Sequence, residues 1–318
     1  SVTEDGMLVG YGMAGGVFGA GRGQASAKGI LKADGTLTLQ SAVSDMGPGT
    51  STAMVTMGAQ FMELPANKIS FELGDTDLPN GPTQGGSGTT SAIGTAINVV
   101  CTALKQTLKE MAIANVPAFA NLKPEVLKYE QGIISVTDNV SINISYTDIL
   151  KAANKPEIEV VKDSGRATAE AQKYAMNSFS VHFVKLHVHP VTGVIKLKQI
   201  VSAADAGKII AENTARSQMV GGAVGGIGMA LTEEVNIDNR YGRYTNANFG
   251  DYHVPVNADA PPMDVVFVNK ADIIISPTGA KGIGEIALVG VAPAIANAVY
   301  NATGKRIRNL PITPDKLI

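Results

Sequence analysis

Apolar and polar positions alternate with a period of two across residues 26–31 and 36–41, on either side of Asp34-Gly35, and this predicts a β-hairpin. The period changes over residues 51–63, where Met54, Met57, Gly58 and Phe61 recur at helical spacing until Pro65 ends the run. Residues 68–73 return to a strand pattern. The longest stripe follows: Ile93, Ile97, Val100, Leu104, Leu108 and Met111 mark one side of a long helix that opens from a glycine loop at 81–88. Residues 116–173 are more polar and irregular, with one weak helix at Tyr146–Ala152 and a charged, proline-bearing segment at 155–166. A second hairpin is predicted at 180–189 and 194–201. A helix of small residues then spans 214–231, with Val220, Val224, Ile227 and Leu231 on one face. Residues 264–269 read as a strand, and a last helix of Ala, Val and Ile leaves the loop at 279–285 and stops near Gly304. Residues 1–24 carry so much glycine that little periodicity shows. Hairpins and helices without steady βαβ alternation predict an α+β fold of two mixed lobes, 1–165 and 166–318.

Composition narrows the chemistry. The chain has 318 residues, 45% of them apolar, enough for sizeable cores and against wholesale disorder. Its 26 basic and 28 acidic residues leave a formal charge of −2, so no broad field draws nucleic acid or an acidic membrane. No apolar run is read as approaching the ~18–20 residues of a spanning helix, and no export signal is read at the start. The lone Cys101 excludes an internal disulfide, an iron–sulfur cluster and a cysteine zinc site within this chain. Set in the apolar run at 97–101, it reads as an inert core thiol.

The 35 glycines cluster in loops. Glycine, serine and threonine just before a helix make an anion site, because backbone N–H groups converge there and the helix dipole favours negative charge. Residues 81–91 supply this with hydroxyls at Ser87, Thr89, Thr90 and Ser91; residues 46–50 and 279–285 repeat it. A single such loop is most often a surface turn, whereas three together favour a shared phosphate-bearing ligand. Gly10-Tyr11-Gly12-Met13-Ala14-Gly15 formally matches a dinucleotide fingerprint. It lacks the following helix and the acid beyond it, and a Walker pattern is absent. Glu285 either complements a helix dipole or, held in apolar surroundings, serves as a general base. His187 and His189 share a strand face without an evident third metal ligand, so a solvated face is the better reading and no metal-ligating side chains are assigned.

Six segments in order resemble the molybdenum hydroxylase family of xanthine dehydrogenases and aldehyde oxidoreductases. They are Gly10-Tyr11-Gly12-Met13-Ala14; Asp45-Met46-Gly47-Pro48-Gly49-Thr50; Gly85-Gly86-Ser87-Gly88-Thr89-Thr90; Gln218-Met219-Val220-Gly221-Gly222 running on to residues 228–234; Asp251-Tyr252-His253-Val254-Pro255; and Lys281-Gly282-Ile283-Gly284-Glu285. The closing stretch, 294–316, looks most like bacterial aldehyde-oxidising members. The resemblance is to the C-terminal half of the large molybdenum-binding subunit, and the chain departs from it at Pro48, where many relatives have Gln, and at Gly88, where many have Arg.

That resemblance implies a molybdopterin with molybdenum, in the cytosine dinucleotide form usual in bacteria, held through its own dithiolene so that no side chain ligates the metal. Gly47, Gly49 and Thr50, with Gly85, Gly86, Ser87, Gly88, Thr89, Thr90 and Ser91, would hold the pterin, pyrophosphate and nucleotide. Gln218 would hydrogen-bond near the metal or pterin, and Lys281, Gly282 and Gly284 count among the cofactor contacts. Glu285 matches the family's catalytic glutamate, the base for oxidation of an aldehyde to an acid with water as oxygen source. Hydroxylation of an N-heterocycle of purine or nicotinate type is the alternative within the family, and a non-catalytic scaffold the alternative outside it. The implied partners are the N-terminal half of the molybdenum subunit, an iron–sulfur subunit, an FAD subunit and a small-molecule substrate, with neither nucleic acid nor membrane. A cytoplasmic setting is implied, or a periplasmic one if a partner is exported.

Overall fold

A computed structural model describes residues 2–318. The strands and helices in chain order are β1 (Val2–Glu4), β2 (Met7–Gly19), β3 (Ser26–Lys32), β4 (Leu37–Gln40), α1 (Thr50–Met62), β5 (Ile69–Glu72) and α2 (Thr89–Asn115). Next come β6 (Leu127–Glu130), β7 (Ile133–Val136), β8 (Asn139–Ser145), α3 (Tyr146–Ala152), β9 (Glu157–Asp163), β10 (Asn177–Val188) and β11 (Ile195–Asp205). The chain closes with α4 (Glu212–Leu231), β12 (Ile237–Asp238), β13 (Arg243–Tyr244), β14 (Met263–Phe267) and α5 (Ile286–Thr303). The α+β class holds. A single cut at 165 does not: one unit comprises 1–20, 177–270 and 282–318, the other 21–176 and 271–281. The reason is strand pairing. β2 joins β10 over its whole length, and the charged segment read as a boundary is β9, which pairs with β3.

In the first unit, the sheet β1-β2-β10-β11-β14 carries α4 and α5 on one face. Val184, Leu186, Val188 and Ile200 of the sheet meet Ala223 and Ile227 of α4 and Val291, Ile295 and Ala298 of α5 in one buried cluster. The 13-residue β2 escaped the periodicity reading because three of its inward positions, Gly10, Gly12 and Gly16, are glycine. A Cβ at Gly12 would overlap the carbonyl oxygen of Ala294 and lie 2.9 Å from the Ala298 Cα, and one at Gly10 would overlap the carbonyl oxygen of Ala298. Only a bare backbone lets α5 sit this close. The large β2 side chains point outward instead. Tyr11 is 60% exposed and Met13 53%, beside Phe179 at 47% and Phe183 at 49% on β10.

The buried face of α4 also differs from the predicted one. It runs through Ala215, Met219, Ala223 and Ile227, while Val220, Val224 and Leu231 are only half-buried, because the small residues lie against α5. By length and composition α5, with 18 residues, reaches the minimum for crossing a membrane, contrary to the run-length reading; it packs on β2, β10 and α4 as the core helix of its unit. It ends at Gly304, whose left-handed backbone donates its N–H to the Tyr300 carbonyl.

In the second unit, α1 and α2 cover the sheet β5-β4-β3-β9. The predicted α2 stripe is its core, with Ile93, Ile97, Val100, Leu104 and Leu108 fully buried. A Cβ at Gly29 would come within 2.6 Å of Val100 Cγ1, so here too a glycine admits a helix. Cys101 is buried in this packing, which pushes its thiol up to about 12 and bears out the inert reading. The region read as irregular holds a third sheet, β6-β7-β8, followed by α3, whose Ser145 cap accepts the Asp148 N–H.

Candidate cofactor-binding site

The two glycine loops of the second unit lie side by side. A parallel bridge joins Ala42 to Asn80, the Ala42 N–H donates to the Pro79 carbonyl at 2.7 Å, and Ser44 Oγ donates to Gln84 Oε1 at 3.2 Å. Met57, two turns into α1, meets Gly94, just over a turn into α2, so both helices start from the same end. Gly47 and Gly49 adopt φ of 111° and 77°, and Gly86 and Ser87 adopt 62° and 59°. Among the described residues no side chain caps α1 or α2, and neither helix has an acid in its first turn. Ser91 Oγ donates to the Gly88 carbonyl at 3.0 Å, and Thr95 Oγ1 to the Ser91 carbonyl at 2.6 Å.

This donor set fits an anionic, phosphate-bearing group. Two uncapped helix starts with no acid in their first turns and a run of hydroxyls favour negative charge, although Asp45 Oδ1 already accepts the Gly47 N–H at 3.0 Å. A Cβ on Gly47, Gly85 or Gly86 would meet nothing within 4 Å, so the loop backbone is open to approach. Residues 271–281 belong to the same unit and dock on α2, where Ser276 Oγ lies 3.3 Å from Thr95 Oγ1. This segment ends at Lys281, a buried lysine.

Gly86→Val follows as a test of the loop. A β-branched residue at φ 62° carries strain of about 1–2 kcal/mol, and its side chain occupies the open approach. Cofactor affinity is expected to fall roughly tenfold or more, with far-ultraviolet circular dichroism unchanged. The amount of phosphate-bearing ligand retained by the purified protein reads the effect.

Gln218, Gly282, Gly284 and Glu285 belong to the first unit. A Cβ at Gly222 would be 2.9 Å from the Ala287 Cβ, and one at Gly226 2.6 Å from the Val291 Cβ, so α4 and α5 pair closely and run in the same direction. Gln218, half-buried, stands one turn before Gly222, and Glu285 is the N-cap of α5. Gln218, nearly two turns into α4, is thus level with the segment that leads into α5, and both residues lie over a small core of Met219, Ile286 and Ala287. Glu285 is exposed. Among the described residues, none gives its carboxylate the sheltered, apolar setting expected for it.

Beneath Glu285 lies a polar ladder that the sequence reading missed. Ser178, Ser180 and His182 alternate on the inward face of β10 and are all buried. Ser178 Oγ donates to the Gly282 carbonyl at 2.6 Å, and Ser180 Oγ to the Ile286 carbonyl at 3.2 Å. His182 Nε2 lies 2.9 Å from Ser180 Oγ, and His182 Nδ1 2.8 Å from Ser202 Oγ on β11. Three polar residues at a period of two, opposite an apolar helix, were the available signal.

Burial pushes the His182 imidazole down to about 4, from an ordinary value of 6.5. The unfolded chain binds this proton near pH 6.5 and the folded chain only near pH 4. Stability is therefore unaffected above pH 6.5 and falls as pH drops through that window, by up to about 3 kcal/mol. Urea midpoints between pH 7 and pH 4 should show this slope in the wild type and a flatter one in His182→Asn.

The other histidines correct the solvated-face reading. His187 is buried, with Nε2 3.3 Å from Glu4 Oε2 but not aligned for a hydrogen bond, whereas His189 Nδ1 accepts the Thr192 N–H in the turn after β10. Among the described residues no group of three His, Cys, Asp or Glu side chains could hold a metal ion. Residues 10–15 lie inside β2, paired with β10, and so form no phosphate-binding turn.

Residues 2–261 match the family described as the molybdopterin cofactor-binding domain. The chain belongs to that family. It is 34% identical, over 100% of its own length, to the aldehyde oxidoreductase molybdenum-binding subunit PaoC of Escherichia coli K12, and covers 41% of that protein. Among solved structures, aldehyde oxidoreductase from Desulfovibrio gigas superposes with a TM-score of 0.76 at 27% identity, over 99% of this chain and 32% of that one. Reconstituted CO dehydrogenase from Oligotropha carboxidovorans superposes with a TM-score of 0.85 at 22% identity, over 98% of this chain and 40% of that one, and shows the common fold. The chain thus spans about two fifths of the length of the curated relatives it matches. The fold is that of the molybdopterin-binding part of molybdenum hydroxylases.

Proposed function

We propose that this chain is the molybdopterin-binding part of an oxidative hydroxylase that converts an aldehyde to a carboxylic acid with oxygen from water. The observation that carries the reading is the 34% identity to an aldehyde oxidoreductase subunit along the whole chain, joined to uncapped helix starts suited to phosphate. Bound molybdopterin would supply the metal centre where oxygen transfer and two-electron oxidation take place.

The chain's own residues bind, orient and move a proton. Backbone amides and hydroxyls at Gly47, Gly49, Thr50, Gly85, Gly86, Ser87, Gly88, Thr89, Thr90 and Ser91 hold the pterin, its pyrophosphate and a cytosine nucleotide. Lys281 adds positive charge, while Gly282 and Gly284 keep the backbone before α5 bare. Gln218 offers its side-chain amide as a hydrogen-bonding group, and a carboxylate oxygen of Glu285 accepts the proton released as oxygen passes to the substrate carbon. Glu285 is exposed at the start of α5, a position open to substrate once the rest of the enzyme is present.

The remaining parts are the N-terminal half of the molybdenum subunit and iron–sulfur and FAD subunits in a cytoplasmic assembly. The coverage of two fifths of the relatives and the apolar outer face of Tyr11, Met13, Phe179 and Phe183 support further polypeptide around the first unit. Hydroxylation of an N-heterocycle is favoured by 28% identity over 91% of the chain to the large subunit of nicotine 6-hydroxylase from Paenarthrobacter nicotinovorans. Turnover of the assembled enzyme in ¹⁸O-water separates the two. A labelled carboxylate from an aromatic aldehyde, with little turnover of nicotinate, supports the first reading; efficient labelling of nicotinate with an inert aldehyde overturns it.

A further inference from the structure

We propose that the buried ladder Ser202–His182–Ser180 is a positioning device for Glu285, fixing the first turn of α5 on which that residue stands. The inference rests on Glu285 acting as the base. Elsewhere the interface between β10 and α5 is apolar, with Val184, Leu186 and Val188 against Ala294, Ile295 and Ala298. Polar side chains fill it only beneath residues 282–290, where Ser178 and Ser180 take the carbonyls of Gly282 and Ile286. A buried hydrogen-bonded network of this kind stabilises little over an apolar core of the same volume. What it adds is direction: a hydrogen bond fixes a backbone carbonyl in a way that hydrocarbon packing does not.

The donors run in one sense. Ser180 spends its hydroxyl proton on the Ile286 carbonyl, so it accepts at Oγ, and His182 must donate from Nε2. His182 Nδ1 is then the acceptor for the Ser202 hydroxyl. A neutral Nε2–H imidazole satisfies every member, and no proton is left without an acceptor. Glycines make the room. A Cβ at Gly290 would stand 2.5 Å from His182 Cδ2, and one at Gly16 2.6 Å from Ser180 Oγ. The imidazole and hydroxyl thus reach the helix where two backbones are bare. The ladder is buried behind the first turn of α5 and acts through the residue next to Glu285.

Three readouts test this. Histidine nitrogen NMR of the 318-residue chain should show His182 as the neutral Nε2–H tautomer at pH 7; the Nδ1–H tautomer would overturn the donor order. Hydrogen exchange of Ser180→Ala should speed the amides of residues 286–290 about tenfold relative to wild type, with protection in α4 retained. Unchanged exchange there, or equal loss across the whole unit, would overturn the positioning role. In the assembled enzyme, Ser180→Ala should lower kcat about tenfold with KM and molybdenum content unchanged, and Ser202→Ala should lower it less. A matched fall in cofactor content would overturn the proposal. Should Glu285→Gln retain full turnover, the base reading fails, and with it the kcat arm; exchange and tautomer still decide whether the ladder fixes the turn.

Discussion

Glu285→Gln in the assembled enzyme is expected to remove nearly all turnover, by about 10²–10⁴-fold in kcat, while molybdenum and pterin content stay at wild-type levels. The two side chains have almost the same volume, and position 285 is exposed, so the substitution leaves no cavity and no overpacking. What disappears is the basic oxygen. An unaltered Gln218 on the neighbouring α4 keeps its own hydrogen-bonding capacity in the variant. Steady-state kinetics together with metal analysis check the outcome, and near-wild-type kcat would remove Glu285 from the role of base.

Gly12→Val should strongly destabilise the first unit. A Cβ there overlaps the Ala294 carbonyl oxygen and crowds the Ala298 backbone, and backbone cannot move aside as a flexible side chain can. Forcing α5 from the sheet costs on the order of 3 kcal/mol or more, a large share of a typical stability of about 5–15 kcal/mol. Gly15→Ala, on the outward face of the same strand, is the control: its Cβ meets only the Ser180 carbonyl oxygen, at 3.6 Å. Soluble yield and thermal unfolding should separate the two variants clearly, and a soluble Gly12→Val with wild-type unfolding would contradict the packing argument.

The same glycines explain which parts of the fold were legible in the sequence. α2 was, because Ile93 to Leu108 bury large side chains at helical spacing, and the two hairpins were, because their alternation is between apolar and polar residues. β2 was not. Its alternation is between glycine and large residues, with Gly10, Gly12 and Gly16 inward and Tyr11, Met13 and Val17 outward, the reverse of the usual hydrophobic pattern. Missing β2 displaced the division of the chain, since residues 1–20 join a unit whose other strands begin at Asn177. β9 was misread for a different reason: as an edge strand it exposes Glu157 and Glu159, and charge looked like linker.

At the site, the loops were legible as turns opening α1 and α2, because their glycines and hydroxyl residues stand directly before the helical patterns. The burial of Ser178, Ser180 and His182 was not, because serine and histidine on a strand usually face water, and only the arrival of α5 over β10 encloses them. Exposure of Glu285 was likewise invisible to local context, since Ile286 and Ala287 turn inward while the N-cap before them does not.

Molybdenum and nucleotide analysis of this chain, purified with the partners it carries in its native source, bears most directly on cofactor binding. One molybdenum atom per chain, with cytidine monophosphate released on acid hydrolysis, is the predicted result. An enzymatically active preparation containing neither molybdenum nor a phosphorylated pterin would contradict it.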